Sequence, residues 1–225
     1  MKQLLIRILC AVAALLAAIG ASAGKAEPRH LTADSVFIKL PVDVIQVLNV
    51  SSRMDMLDYY RNDSIYRAPN LPGGESCLRR VTPSFLEAEL TAVSTIQIRI
   101  LPGKDGDIAA VSYTVDSTGT QADSRLYFYD ADMKPLQASR LFREPETRQF
   151  FRIERGSATS MRELLDMVPF PTVQYSLSAD DTALTARLTV EGNIDTDDYN
   201  IMKLFLVPEL RYVWDGKRYK LEKKK

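Results

Sequence analysis

Chemistry in this chain has to be done almost without imidazole. The sequence holds a single histidine, His30, whereas Ser-His, Cys-His and His-ligated metal sites all need an imidazole held on a rigid scaffold. His30 also lies in the polar stretch Gly24 to Ser35, which reads as a flexible leader. Cys77 is the one thiol left once the N-terminal segment described below is removed. It has no base to activate it, and its Gly73-Gly74-Glu75-Ser76 approach reads as a tight turn into a sheet. One thiol closes no internal disulfide, and free cysteines favour the interior.

The remaining reactive types are carboxylates. Asp105 with Asp107, Asp180 with Asp181, and Asp195, Asp197 and Asp198 form short acidic groups. None matches the spaced oxygen ligands of a calcium loop, and each sits where turn or cap chemistry already calls for Asp. Two acids from distant strands could still converge for glycoside hydrolysis, but nothing singles out a pair. The sequence therefore calls for no metal and no cofactor.

Recognition is the better-supported chemistry. Arg53, Asp55, Asp58, Tyr59 and Tyr60 interleave charge with aromatics on one short segment, the composition of an interface patch. The same box also reads as an ordinary helix, with Leu57 and Tyr60 packing and Arg53 paired to Asp58 across the surface. Tyr127, Tyr129, Tyr212 and Trp214 form a second candidate, an aromatic strip on a sheet that could take a glycan or peptide, or serve as core and cross-strand pairs.

The elements positioning these groups follow from periodicity. Ile96, Ile98 and Ile100 share one face of a strand with Gln97 and Arg99 on the other, the pattern of an antiparallel sheet with one wet side. PGKDGD turns the chain into a return strand carrying Val111, Tyr113 and Val115, and RLYFYD follows. TVQYSLS and TALTARLTV form a second hairpin, and LRYVWDGKRYKLE a third around Asp215-Gly216. Helices are predicted over VDVIQVLN after Pro41, with a strand as competitor, and over RMDMLDYYRND behind Ser51-Ser52, with Met54, Leu57 and Tyr60 as its stripe. Others are expected from Thr82-Pro83 with Phe85, Leu86 and Leu90 inward, over EPETRQFFRI, over MRELLDMV behind Ser160, and over YNIMKLFLV up to Pro208. APNLPGGE reads as a loop.

The two sheet regions echo each other: a hairpin, a connection, then Tyr-x-aromatic-Asp and a return strand. Either the domain holds two similar halves, 82–140 and 160–222, or it is one mixed sheet with helices packed on it. The fold class in both cases is α+β, an antiparallel sheet or sheets with helices on one side, possibly two tandem four-stranded half-sheets each preceded by a helix.

Lys2 and Arg7, the apolar run Ile8 to Ile19 and Ala21-Ser22-Ala23 compose a secretory signal over residues 1–23. The run is too short and too quickly followed by Lys25, Glu27 and Arg29 to span a bilayer. Cys10 stands at its start rather than its end, which argues against lipid attachment. A 24–35 leader and a 36–225 α+β domain follow. Loss of Lys2 and Arg7 from a chain with 29 basic and 29 acidic residues leaves the rest slightly acidic, with no basic face for nucleic acid. The Lys223-Lys224-Lys225 run reads as a solvated tail.

Arg53-x-Asp55-x-Leu57-Asp58-Tyr59-Tyr60, Gly73-Gly74-Glu75-Ser76, Thr91 to Leu101, Ser124 to Asp130 with Pro135-Leu136, and Arg211-Tyr212-x-Trp214-x-Gly216 together resemble a family of secreted Bacteroidales proteins, domain of unknown function 3256. The resemblance implies an exported protein of uncharacterised activity and carries over no catalytic residue. The expectation is a periplasmic or secreted binding module whose partner is an envelope protein or glycan. The alternative is a histidine-independent, carboxylate-based hydrolase acting on envelope or glycan polymers. Intact-mass measurement on protein from the cell envelope should give a chain beginning at Gly24; one still beginning at Met1, or held in the cytoplasm, overturns export.

Overall fold

The alternation in TIQIRIL places isoleucines on one side of a strand and Gln97 and Arg99 on the other, and the fold grows from what covers each side. The computed structural model describes residues 30–116 and 119–223. The predicted signal peptide and the first part of the leader, 24–29, lie outside them. Two helices come first, α1 (Ala33–Lys39) and α2 (Val50–Arg61). Then come β1 (Ala68–Pro69), β2 (Glu75–Val81), β3 (Phe85–Thr91), β4 (Ser94–Leu101), β5 (Ile108–Val115), β6 (Asp123–Tyr129) and β7 (Pro135–Leu136). After α3 (Ala138–Leu141), a 3-10 turn (Thr147–Phe150) and α4 (Met161–Asp166) come β8 (Val173–Leu177), β9 (Leu184–Leu188), α5 (Thr196–Met202), β10 (Leu210–Trp214) and β11 (Tyr219–Leu221).

The strands form two antiparallel sheets, seven-stranded in the order β1 to β7 and four-stranded in the order β11-β10-β9-β8. The fold is α+β. The first sheet is larger than a four-stranded half, because β1, β2 and β3 precede the predicted meander. Its isoleucine face, with Leu86, Ala88, Leu90 and Val111, packs against Val36 and Phe37 of α1, Met56 and Leu57 of α2, and Val44, Ile45 and Leu48 between them. The opposite face adds Phe85, Leu101, Ala110 and Phe128 to a second core built from the four-stranded sheet and the 138–170 segment. The side expected to be wet is therefore covered.

The covering is polar where the sheets touch. β8 is an edge strand of its sheet, and its outward main-chain groups are met by side chains rather than by another strand. Tyr175 N donates to Ser124 Oγ (3.0 Å), Ser112 Oγ donates to Tyr175 O (2.7 Å), Leu177 N donates to Gln97 Oε1 (2.9 Å) and Arg99 donates to Ala179 O (3.1 Å). Residues 175, 177 and 179 point one way because the strand repeats every two residues. Gln97 is oriented in turn by donating to Glu87 (2.7 Å). Farther out, Trp214 donates to Pro102 O (2.8 Å) and pins the hairpin end of the second sheet to the β4–β5 turn.

Several predicted helices are something else. FLEAEL is strand β3, since Leu86, Ala88 and Leu90 fill one core while Phe85 enters the other beside half-buried Glu87 and Glu89, and the adjacent Phe85 and Leu86 with Leu90 imitate a helical stripe. The segment after Pro41 is a run of turns that still buries Val44, Ile45 and Leu48. EPETRQFFRI holds only the 3-10 turn, because Phe151 leaves it to form a bridge with Leu206. The leader stretch ends in order: Leu31 N donates to Asp107 (3.0 Å), and α1, which starts inside that stretch, buries Ala33. APNLPGGE contains β1, and Asn70 organises its turn by donating to Leu90 O (2.9 Å) and accepting from Gly74 N (2.8 Å). The helix behind Ser160 forms with the capping box of Ser160 and Glu163, and the Asp215-Gly216 hairpin forms with Gly216 at φ 90°. β4–β7 and β8–β11 share the meander order, and the second carries α5 between its second and third strands.

Replacing Ser112 by Ala leaves the buried Tyr175 carbonyl without its donor, and should cost about 1–3 kcal/mol in urea unfolding at unchanged m value. Gln97→Leu should cost a similar amount by orphaning Leu177 N–H; no loss in either variant would show that the sheet seam contributes little.

Candidate functional site

The charged aromatic box on α2 does not form one surface. The helix starts at Asn49, whose side chain accepts from Ser52 N (2.8 Å), so the stripe turned inward is Arg53, Met56 and Leu57. Met54, placed in the stripe by periodicity, is exposed. Arg53 is only 1% exposed. Its Nη1 donates to Phe37 O (2.8 Å) and Leu40 O (2.9 Å), and its Nε reaches Asn49 O (3.4 Å). Phe37 O and Leu40 O are carbonyls at the C-terminal end of α1, where a helix leaves acceptors unpaired and its dipole favours a cation, whereas Asn49 O lies at the N-cap of α2 itself. Burial pulls the guanidinium below its ordinary pKa. The expected Arg53–Asp58 pair is absent; Asp58 instead pairs with Arg61 (3.2 Å), which also holds Asp34 (2.6 Å).

The rest of the box divides between packing and solvent. Tyr60 accepts from Val81 N at its hydroxyl (3.2 Å) and ties α2 to the sheet. Tyr59 stacks on Tyr66 with centroids 4.5 Å apart, and Asp55 faces solvent.

The aromatic strip separates into two cores. Tyr127 and Tyr129 lie on the helix side of the first sheet, Tyr212 and Trp214 in the core between the sheets. Burial raises the phenols of Tyr129 and Tyr212 to about 12, which marks them as packing groups. Tyr212 meets Phe142 edge-on at 5.0 Å, and Trp214 meets Tyr219 at 5.3 Å. Of the strip, Tyr127 lines the cleft described below, and Tyr212 a smaller one of about 340 Å³ shared with Tyr219 and Glu144.

The acidic groups do the local work expected of them. Asp181 accepts from Ala183 N (2.9 Å) and pairs with Arg211, and Asp195 caps α5 by accepting from Asp197 N (2.8 Å). Asp107 holds the start of the described chain through Leu31 N and His30. Cys77 lies on β2, not in a loop. It is buried against Glu89 (3.5 Å), and burial raises its thiol pKa, the opposite of an activated nucleophile. Among the described residues no group of His, Cys, Asp and Glu could hold a metal ion.

What the fold builds instead is an open cleft of about 580 Å³ beside β6. It is lined by Tyr113, Arg125 and Tyr127 of the first sheet, by Asp43 and Gln46 from the turns before α2, and by Glu144 beyond α3. Asp43, Arg125 and Glu144 are exposed, and Tyr113 and Tyr127 half-buried. Of these only Tyr127 was singled out by sequence. Arg125 and Tyr127 follow from strand alternation on β6, but Asp43 and Glu144 arrive from segments distant in sequence and carry no local signature. A second depression of about 820 Å³ lies between 151–157 and 204–208, beside the exposed Leu204.

A family model described as "Protein of unknown function (DUF3256)" matches residues 29–219. A solved structure of a domain of an uncharacterized protein from Porphyromonas gingivalis W83 is similar over 87% of this chain and 100% of that one, with a TM-score of 0.70 at 24% identity. At that identity the likeness concerns the fold. No curated protein matches the chain. No helix among the described residues is long and apolar enough to cross a membrane.

Arg53→Met removes the donors to Phe37 and Leu40 while keeping an unbranched apolar stem, and should destabilise the protein by about 3 kcal/mol. Arg53→Lys, with the charge but not the fork, should recover part of that loss. Equal stability of the three proteins in chemical denaturation would mean that this buried cation does not hold α1 in place.

Proposed function

The chain belongs to the DUF3256 family of proteins of unknown function, and we propose that it works as an exported binding module of the bacterial envelope, engaging a protein or glycan at the cleft beside β6. The observation that carries this reading is the lining of that cleft, where half-buried Tyr113 and Tyr127 stand beside exposed Asp43, Arg125 and Glu144. Amphipathic aromatics next to unpaired charge can supply contact area and orientation to a partner. Export rests on the signal-like residues 1–23, and periplasmic or secreted placement follows from the same reading.

A carboxylate-based hydrolase is the second reading, favoured by the presence of Asp43, Asp123 and Glu144 on one cleft. All three are exposed, whereas a general acid working near neutral pH needs a carboxyl sheltered from water. Binding is therefore the better account of the same residues.

The mature chain, immobilised and exposed to envelope extract at low salt, should retain a partner or glycan that Arg125→Glu with Tyr127→Ala releases. Retention of nothing, or equal retention by that variant, would remove the binding reading from this cleft. New reducing ends appearing in purified envelope glycan, and abolished by Glu144→Gln, would establish the hydrolase instead.

A further inference from the structure

We infer that the open edge of β6 accepts an extended, cationic peptide segment as an additional strand of the seven-stranded sheet. This rests on the binding-module reading and names its partner class. The opening exists because β7 is short. It pairs Phe128 with Leu136 and Tyr129 with Pro135 and no further. The Asp123–Tyr127 stretch of β6, fully paired with β5 on its other side, thus has no strand beyond it.

The direction of the exposed main chain follows from the ladder. Asp130 N donates to Lys134 O (3.0 Å), toward the β7 side. In an antiparallel strand the N–H and C=O of one residue point the same way, and every second residue repeats that direction. Ser124 and Leu126 therefore aim their main-chain groups out of the sheet edge. Both residues line the cleft, and among the described residues no other main chain bonds them from that side. An edge in this state is a template for strand addition.

Charge selects the occupant. Asp43, Asp123 and Glu144 line the cleft against a single cation, Arg125. Among the described residues none of these four is in an ion pair. The acids flank the edge on both faces of the sheet. Asp43 adjoins Val44, which is buried in the helix-side core, and Glu144 follows two residues after Phe142, which is buried in the core between the sheets. Successive side chains of an added strand point to opposite faces. Basic residues an odd number of positions apart would then reach both acids, with aliphatic neighbours beside Tyr127 and Leu126. A second copy of this chain fits less well, since pairing two β6 edges brings the two acidic clefts together.

The probe is an acetylated, amidated Thr-Val-Lys-Lys-Val-Thr peptide added to the isotope-labelled mature chain. The expected result is amide shifts at Ser124 and Leu126, lost when alternate peptide nitrogens are methylated and absent with Thr-Val-Glu-Glu-Val-Thr. Asp43→Asn with Glu144→Gln should weaken the affinity about five-fold while the amides paired between β5 and β6 stay in place. Binding indifferent to N-methylation, shifts mapping elsewhere, or no binding at about millimolar peptide would overturn strand addition. If the peptide fails while the immobilised chain still retains an envelope partner through Arg125 and Tyr127, the partner class is wrong and the binding module stands. If the chain retains nothing as well, both fail.

Discussion

An unpaired strand edge inside a protein must find hydrogen-bond partners or be left in water, and β8 resolves this in a way that determines the architecture. Its outward N–H and C=O groups meet Ser112, Ser124, Gln97 and Arg99, side chains on one face of β4, β5 and β6. That face cannot be apolar, because an apolar surface there would strand buried main-chain groups at about 1–3 kcal/mol each. It cannot be solvent-exposed either, since Ser112 is 1% exposed. The alternation that looks like a wet side is a polar seam between layers. Once β8 is seated, the apolar face of the second sheet is held over Phe85, Ala110 and Phe128, and the 138–170 segment must fill the remaining wedge.

Phe142 shows how that filling works. It meets Tyr175 at 5.2 Å and Tyr212 at 5.0 Å, both edge-on, geometries in which the positive ring edge faces the negative ring face. Phe142 thus braces β8 and β10 of the second sheet, while the two sheets are joined by side-chain-to-main-chain hydrogen bonds on one line and by Phe128 of β6 against Tyr219 of β11, 6.4 Å apart, beside it. The helix side uses another device for the same problem. There Arg53 answers the free carbonyls of α1, so a long cation from one helix completes the end of another. In both layers a polar side chain is buried to satisfy backbone, with no opposite charge required.

Much of the strand order was legible because TIQIRIL, RLYFY, VQYSL and LTARL alternate and their turns contain Gly, Asp or Pro at positions that demand them. The helix behind Ser160 was legible through its capping box. FLEAEL misled because Phe85 beside Leu86 puts two large apolar residues in a row, and with Leu90 and the Thr82-Pro83 start this imitates a helical stripe although Leu86, Ala88 and Leu90 alternate with Glu87 and Glu89. Arg53 misled because a charged residue on a helix is read as surface until its carbonyl partners are known. Tyr127, Tyr129, Tyr212 and Trp214 look like one strip because both strands end in Tyr-x-aromatic-Asp. Both aspartates close the turn in the same manner, Asp130 accepting from Lys134 N and Asp215 from Arg218 N, each at 2.9 Å. The pairs nevertheless face different cores, which depends on how the sheets stack and not on either local pattern. The β6 cleft had no local pattern to find, since Asp43 and Glu144 reach it from opposite sides of the chain.

The two strand edges nearest the seam have opposite fates, and this asymmetry is what makes the β6 region chemically distinct. β8 spends its free edge on the neighbouring sheet and gains a rigid interface. β6 lies one layer away, and its Ser124 hydroxyl already serves Tyr175 N. Its position is therefore fixed by the same seam that completes β8. A binding edge needs a strand that does not move when a partner arrives, because ordering it would subtract from affinity. The bonds that bury β8 supply that rigidity, and the shortness of β7 leaves the opposite side of β6 uncovered. The structural seam and the open edge are consequences of one placement, with β6 anchored through its face and exposed along its flank.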